Sequence, residues 1–150
     1  AGVACNTAVT PAAPEGTAAG GSPVACDSLA SLLLPNVTIT AAEAVAAGAF
    51  TPPMPPGRSL SEGQAQQYGA LPAFCRVAAT LTPSSDSDIK IEVWMPTEGW
   101  NGKLQAVGNG AFTGSLRYGG GRSMASGLEL GYATASTDTG HVGGSAEFGY

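Results

Sequence analysis

The sequence predicts an α/β fold in which an antiparallel hairpin leads into a mostly parallel sheet. Residues 89–95 alternate apolar and polar side chains at every second position, which is typical of a half-buried strand. They follow an extended run over residues 74–82 across a short polar turn, so the two runs predict a hairpin. A strand over residues 103–107, a helix over 122–130 and a strand over 132–136 then follow in order. This succession is how several α/β sheets begin.

The first half of the chain is less regular. Residues 26–33 predict a short helix that ends before Pro35. Residues 37–40 predict a short strand, and residues 41–47 predict a helical turn. Within residues 51–57, four prolines stand in five positions. That density excludes a helix or a central strand, and it predicts a stiff surface linker that marks an internal boundary.

The amino terminus indicates an exported protein. Residues 1–23 are rich in Ala, Gly, Thr and Pro, which predicts an irregular low-complexity leader. This leader lacks the basic start and the apolar run of a signal peptide. It has the composition of a mature chain from which the signal peptide has been removed, so we expect a secreted or periplasmic protein. The predicted organisation is the leader, an amino-terminal helix with its proline-rich linker over residues 24–70, and core strands over residues 71–150.

Charge and hydropathy exclude several classes of protein. Six Lys and Arg against eleven Asp and Glu give a net charge of −5, so no basic surface is available for nucleic acid. Charged residues make up 11% of the chain and hydrophobic residues 43%, which is unlike a solvated disordered chain. No run approaches the roughly 18 apolar residues that span a bilayer, so we expect no membrane partner.

The cysteines do not form a zinc motif. Cys5, Cys26 and Cys75 are far apart, and His141 is the single histidine of the sequence. A structural zinc ion needs four ligands at short spacings, so disulfides or buried thiols remain as the alternatives. An odd number of cysteines in an exported protein suggests that one of them pairs outside this chain.

A glycine-rich loop over residues 108–114 (Gly-Asn-Gly-Ala-Phe-Thr-Gly) follows the third predicted strand of the core. Its glycine spacing is one residue too long for a dinucleotide-binding loop, and no helix begins directly after it. The sequence also lacks the Gly-Lys-Ser/Thr of a phosphate-binding loop. Two alternatives remain: a flexible loop without chemistry, or an oxyanion-hole loop whose small residues expose backbone N–H groups to a substrate oxygen.

Asp138 and His141 follow the last predicted strand, and their side chains can take part in chemistry. A catalytic pair and a metal site are both conceivable, but one histidine near one carboxylate more commonly stabilises a loop. Loops at the carboxyl ends of α/β strands surround the site. We therefore expect these two residues to position the residues of the site without contacting the substrate themselves.

The second half of the chain offers no nucleophilic serine in the expected setting. A serine hydrolase of α/β architecture carries its nucleophile on a sharp turn, in a Gly-x-Ser-x-Gly sequence or a close variant. Ser115, Ser123, Ser136 and Ser145 all lack this setting, and the closest of them, Ser145, lacks the final glycine. With one histidine in addition, this chain alone does not present a catalytic triad.

Taken together, several segments of the chain resemble one family. They are residues 71–77 (LPAFCRV), 91–96 (IEVWMP), 100–103 (WNGK), 107–114 (VGNGAFTG) and 132–141 (YATASTDTGH). Their content and order resemble the tannase and feruloyl esterase family of secreted α/β-hydrolases, which includes the mono(2-hydroxyethyl) terephthalate hydrolases. The resemblance implies the amino-terminal portion of an α/β-hydrolase fold, in a serine esterase with a Ser-His-Asp triad and a large lid domain that often binds calcium.

The resemblance assigns roles to few residues here. The family nucleophile lies in a Cys-Ser-x-Gly-Gly segment that this sequence lacks, so the catalytic serine, aspartate and histidine, and any Ca²⁺, are expected in the remainder of the polypeptide. Gly110 and Ala111 match the oxyanion-hole segment, although the family usually has a second glycine where Ala111 stands. Cys26 and Cys75 match a family disulfide, whereas Cys5 has no counterpart and is expected to pair outside this chain or to stay free.

The resulting hypothesis is a carboxylic ester hydrolase segment that supplies the first strands and part of the oxyanion hole. The implied substrates are small aromatic acid esters of feruloyl, galloyl or terephthalate type, and the implied partner is the rest of the hydrolase polypeptide. By itself the 150-residue chain is expected to be inactive. A non-catalytic exported binding or structural domain is the first alternative, and a nucleotide-binding domain is the second.

Overall fold

Residues 24–144 form five strands and two α-helices. The computed structural model describes residues 24–144, so the predicted leader with Cys5, and also Ser145, lie outside the described residues. The strands are β1 (Val37–Val45), β2 (Phe74–Leu81), β3 (Ile89–Pro96), β4 (Leu104–Val107) and β5 (Ala133–Thr137). The helices are α1 (Glu62–Gly69), α2 (Met124–Glu129) and a 3-10 helix, Cys26–Ser31.

The strands form one mixed sheet in the order β1-β2-β3-β5-β4. Neighbouring strands from β1 through β3 to β5 are antiparallel, and β4 and β5 are parallel. A parallel pair needs a crossover connection, and here the chain passes from β4 through α2 to β5. This confirms the predicted α/β class, with a hairpin followed by strand, helix and strand.

Two predictions for the first half are wrong in detail. Residues 41–47 do not form a helical turn, because β1 continues to Val45 and pairs along its length with β2. Pairing with a neighbouring strand overrides the helix preference of an alanine-rich run, because tertiary contacts outweigh intrinsic propensity. The helix predicted over residues 26–33 is a 3-10 helix that ends at Ser31, since Leu32 is already extended.

Helix α1 was not predicted, although its start carries a readable signal. Ser61 caps the helix by accepting a hydrogen bond from the Gln64 amide, and the Gln64 side chain accepts one from the Ser61 amide. This is the reciprocal pattern of a capping box. Helix α1 buries Tyr68 as its contribution to the core.

The core lies on one face of the sheet. It is a cluster of aromatic and aliphatic side chains contributed by β2, β3, β4, both α-helices and the connecting segments: Phe50, Tyr68, Leu71, Phe74, Trp94, Val107, Met124, Ala125 and Leu128. The rings of Phe50 and Trp94 lie edge to face with centroids 4.5 Å apart, a favoured aromatic geometry. The core therefore fixes the strands from which the glycine-rich loop emerges.

The disulfide implied by the resemblance is present. Cys26 and Cys75 are bonded with their Cα atoms 5.6 Å apart, which ties the 3-10 helix to β2. The proline-rich segment, residues 51–57, connects β1 with the rest of the same sheet. Within residues 24–144, none of the helices is both long and apolar enough to cross a membrane.

Candidate functional site: a glycine-rich loop at the end of the sheet

The glycine-rich loop, residues 108–114, leaves β4 at its carboxyl end and forms a tight turn. The Thr113 amide donates to the Gly110 carbonyl at 3.2 Å, which closes the turn. Ala111 lies inside it with φ of +51°, a left-handed conformation that costs an alanine about 1–2 kcal/mol. The loop therefore holds an alanine in a conformation that a glycine adopts freely.

The amides of Gly110 and Ala111 are available to an external acceptor. Neither donates a hydrogen bond to another group within residues 24–144, and both residues are exposed. A Cβ built on Gly108 or Gly110 would meet no atom within 4 Å. The loop thus presents unused backbone donors on an open surface, which is the property that an oxyanion hole requires.

Gly110 borders a cavity with positive charge in its wall. The cavity has a volume of about 500 Å³ and is lined by the edge of β4, the start of the glycine-rich loop, Arg117 and Arg122. No carboxylate lines it, and within residues 24–144 neither arginine side chain forms an ion pair. Its size is within the usual range for pockets that take small organic ligands, and its charge favours an anion.

The loop that follows β5, residues 138–144, holds both predicted supporting residues. The Asp138 carboxylate is buried and accepts hydrogen bonds from the amides of Lys90 and Gly140, each at 2.9 Å. These contacts fix the start of the loop to β3. The His141 side chain contacts the glycine-rich loop, where its Nε2 lies 3.0 Å from the Phe112 carbonyl oxygen.

The two loops are joined along their length. Gly114 and Gly143 exchange backbone hydrogen bonds of 2.6 and 3.3 Å. The Asn109 side chain donates to the Thr137 carbonyl at 2.9 Å. The sequence places these partners about thirty residues apart, so the juxtaposition follows from β4 and β5 being parallel neighbours. The candidate donors are therefore braced from one side by the loop after β5.

A buried carboxylate that sequence reasoning missed anchors the far end of the connection from β4 to α2. Glu92 on β3 is 2% exposed, and both its oxygens accept hydrogen bonds from the Arg76 guanidinium. The Trp94 indole donates to it at 2.9 Å and the Tyr118 hydroxyl at 2.8 Å. Four donors compensate the buried charge, as such a group requires. Tyr118 follows the glycine-rich loop, so Glu92 fastens that segment to the sheet.

This network shifts the ionisation of its members. The hydrogen bond to Glu92 raises the pKa of the Arg76 guanidinium, so this side chain stays charged. Burial raises the pKa of the Tyr118 phenol, and the negative charge of Glu92 raises it further. Tyr118 is therefore a neutral donor throughout the physiological range.

Ser123 and Ser136, two of the serines considered as nucleophiles, have structural contacts. Ser123 is buried and caps α2 by accepting from the Ser126 amide, and buried Ser136 accepts from the Arg117 amide. Ser115 is exposed next to the Gly114 bridge. In the part of the chain that the structure describes, no group of three or more His, Cys, Asp or Glu side chains could hold a metal ion.

Comparisons with known proteins show which family the chain resembles. The family model described as tannase and feruloyl esterase matches residues 75–150. An uncharacterized esterase of Xanthomonas campestris is 47% identical over 78% of this chain and 18% of its own length. Feruloyl esterase C of Talaromyces stipitatus is 37% identical over 83% of this chain and 22% of its own.

Solved structures show the same arrangement of strands. The crystal structure of an esterase from Aspergillus oryzae matches with a TM-score of 0.66 and 28% identity over 83% of this chain and 24% of that one. Feruloyl esterase B of the same organism matches with a TM-score of 0.61 and 30% identity over 79% and 22% of the two chains. The chain thus spans about a fifth of the length of the curated relatives it matches. The family resemblance and the α/β-hydrolase-like fold are confirmed.

Proposed function

Because the chain belongs to the tannase and feruloyl esterase family, we propose that it is the segment of a carboxylic ester hydrolase that supplies the oxyanion hole. The observation that carries this proposal is the pair of unused, exposed amides at Gly110 and Ala111, of which Gly110 lines the cavity at the carboxyl end of β4. In α/β-hydrolases one oxyanion donor comes from the loop that follows this strand. The names of the relatives support an ester as substrate.

The chemistry assigned to these donors is stabilisation of a negative oxygen. A serine nucleophile, expected in the remainder of the polypeptide, attacks the ester carbonyl, whose π electrons move onto oxygen. The N–H groups of Gly110 and Ala111 then hydrogen-bond the oxyanion, and each such donor is worth about 3–4 kcal/mol in the transition state. Arg117 and Arg122 line the same cavity, and their positive charges also favour the negative charge of the oxyanion.

The proposed substrates are esters of aromatic acids, of feruloyl, galloyl or terephthalate type. The support for this class is the family and the feruloyl esterase names of relatives. Within residues 24–144 the acidic side chains do not cluster as a metal site, so they do not fit the calcium that the family resemblance implies. We expect any such site in the remainder of the polypeptide.

That remainder is the proposed partner of this segment. Strand β4 lies at one edge of the described sheet, paired with β5 alone, and its Leu104 is 64% exposed. An open strand edge is a surface that another strand can extend. The bonded cysteines support a secreted or periplasmic location, because disulfides persist in oxidising compartments.

The test of the function is turnover by the complete polypeptide. We expect it to hydrolyse methyl ferulate or methyl gallate and to lose activity when a serine-directed phosphonate reacts with it. The isolated 150-residue chain should hydrolyse neither ester, because it lacks a nucleophile. No turnover of any aromatic ester by the complete polypeptide, or full turnover by the isolated chain, would contradict the proposal.

A second experiment removes one donor without changing a side chain. Lactic acid incorporated in place of Ala111 converts the amide into an ester and deletes its N–H. If this donor holds the oxyanion, kcat should fall by about 100-fold while KM changes little. The matched control is glycolic acid in place of Gly99, an exposed glycine in another turn, which should leave both constants unchanged.

A further inference from the structure

The contact between His141 and the glycine-rich loop has a specific consequence for the candidate donors. We propose that His141 is a positioning residue, which keeps the turn at Ala111 in its left-handed conformation without touching the substrate. This inference rests on the proposed function and adds to it the group that holds the donors in place. Its support comes from four independent features of the two loops.

The first feature is the hydrogen bond itself. The Phe112 carbonyl oxygen can only accept, so His141 Nε2 donates to it across 3.0 Å. The other ring nitrogen, Nδ1, lies 3.1 Å from the Thr139 hydroxyl. That hydroxyl donates its proton to the Asp138 carbonyl at 2.6 Å, so the Thr139 contact helps to orient the ring, and the donor role of Nε2 follows from the Phe112 carbonyl alone.

The second feature is the position of the accepting carbonyl. Phe112 directly follows Ala111, and its carbonyl belongs to the peptide that links Phe112 to Thr113, so holding this carbonyl fixes the turn one residue beyond the strained alanine. A left-handed alanine persists only where surrounding contacts determine its conformation. Besides the turn's own hydrogen bond from Thr113 to Gly110, the contact with His141 reaches this turn from the loop after β5.

The third feature is the close approach of the two backbones. A Cβ built on Gly114 would lie 2.1 Å from the His141 carbonyl oxygen and 2.6 Å from its Cδ2 atom. Such distances are far below van der Waals contact, so only glycine fits at this position. The glycine-rich loop and the backbone of His141 are thus pressed together, and a side chain at Gly114 must separate them.

The fourth feature is the attachment of His141 to the sheet. The Asp138 carboxylate accepts from the Lys90 amide on β3 and from the Gly140 amide next to His141. The Asp138 backbone amide also donates to the Lys90 carbonyl at 3.0 Å. The position of the histidine is therefore set by β3, and through Phe112 it sets the position of Ala111.

The test compares two substitutions of His141 in the complete esterase polypeptide. His141→Ala removes the donor and should lower kcat by about 10- to 100-fold, the range expected when a reacting geometry is loosened, with little change in KM. His141→Gln keeps an N–H donor near the place of Nε2 and should recover most of kcat. Val142→Ser is the control, because Val142 is 93% exposed on the same loop, and it should change nothing.

A second readout separates positioning from a general effect on folding. Affinity for an aryl boronic acid, which forms a tetrahedral anion at a serine nucleophile, should fall in His141→Ala in proportion to kcat. Binding of the product acid and the urea unfolding midpoint should stay near the values of the unsubstituted polypeptide. Gly114→Ala, with His141 intact, should reproduce the loss of kcat by forcing the loops apart.

Three results would overturn the inference. One is an unchanged kcat and boronic acid affinity in His141→Ala. Another is a loss that His141→Gln does not recover, accompanied by an equal rise in KM and a lower unfolding midpoint, which would make the histidine merely structural. An unsubstituted polypeptide without esterase activity would instead refute the proposed function, and the positioning role with it.

Discussion

Replacing Glu92 by Gln is the most informative perturbation of the support beneath the candidate site. The substitution keeps the shape of the side chain and exchanges one carboxylate oxygen for an NH2 group. Each of the two oxygens accepts a hydrogen bond from Arg76. Whichever oxygen is exchanged, an N–H of the guanidinium therefore faces another donor, so the change cannot be absorbed by flipping the amide.

The expected loss follows from burial. Leaving one partner of a buried ion pair uncompensated costs about 3–5 kcal/mol. Arg76 keeps a second partner, since its Nη1 lies 2.7 Å from the Glu43 carboxylate. We therefore expect Glu92→Gln to lower the free energy of unfolding by about 3 kcal/mol, at the lower end of that range.

Glu43→Gln is the matched control, because it removes the other carboxylate from the same arginine. The Glu43 side chain is 52% exposed, and exposed ion pairs contribute about 1 kcal/mol or less. Equilibrium urea unfolding of the complete polypeptide, followed by tryptophan fluorescence, measures both variants. Equal losses in the two, or a loss under about 1 kcal/mol in Glu92→Gln, would refute the reasoning that the buried carboxylate is the anchor.

Three further perturbations have definite expected results. Ala111→Gly should raise the free energy of unfolding by up to about 1 kcal/mol and keep kcat, because it relieves a left-handed alanine; a lower unfolding free energy would contradict that conformation. The pKa of Tyr118 is higher in the folded protein than in the unfolded chain. The resulting contribution to the free energy of unfolding is complete below the unfolded pKa of about 10, and it is lost as pH rises through the folded pKa. Urea midpoints of Tyr118→Phe should therefore decline less steeply above about pH 10 than those of the unsubstituted polypeptide, and parallel declines would count against the assignment. Replacing both Cys26 and Cys75 by Ser opens a link between residues 49 apart and should cost about 4 kcal/mol of unfolding free energy, whereas a cost near zero would show that the link does not restrain the unfolded chain.

Sequence patterns were sufficient for the strands whose local signals agree with their place in the sheet. Strands β2 and β3 lie within one residue of the predicted runs 74–82 and 89–95. The glycine after α2 was also predictable, since Gly131 has a positive φ of 77° and stops the helix. These features depend on neighbours in the sequence.

The features that were missed depend on contacts between distant residues. The alternation in β3 suggested that Glu92 belongs to a solvated face, yet Glu92 and Trp94 are buried there and Ile91 is only half-buried. The reason is the register, which places Arg76 of β2 opposite Trp94 and within reach of Glu92. No local pattern shows that a charge on the neighbouring strand will compensate this carboxylate.

The candidate site likewise combines features that the local sequence predicts with features that depend on contacts between distant residues. The glycine-rich loop and His141 could be picked out by residue type, because small residues expose backbone donors and a lone histidine stabilises loops. The partner of His141 could not be identified, since the Phe112 carbonyl lies 29 residues away and meets the histidine only because β4 and β5 are adjacent. The conformation of Ala111 likewise emerged only from the folded loop.

The most direct test of the central claim is a crystal structure of the complete polypeptide with an aryl boronic acid bound to its nucleophilic serine. The tetrahedral adduct places an oxygen where the oxyanion of the ester would be. We expect this oxygen to lie about 2.7–3.1 Å from the amide nitrogen of Gly110, Ala111 or both. An oxygen held entirely by donors from other segments, with the glycine-rich loop turned away from it, would contradict the account.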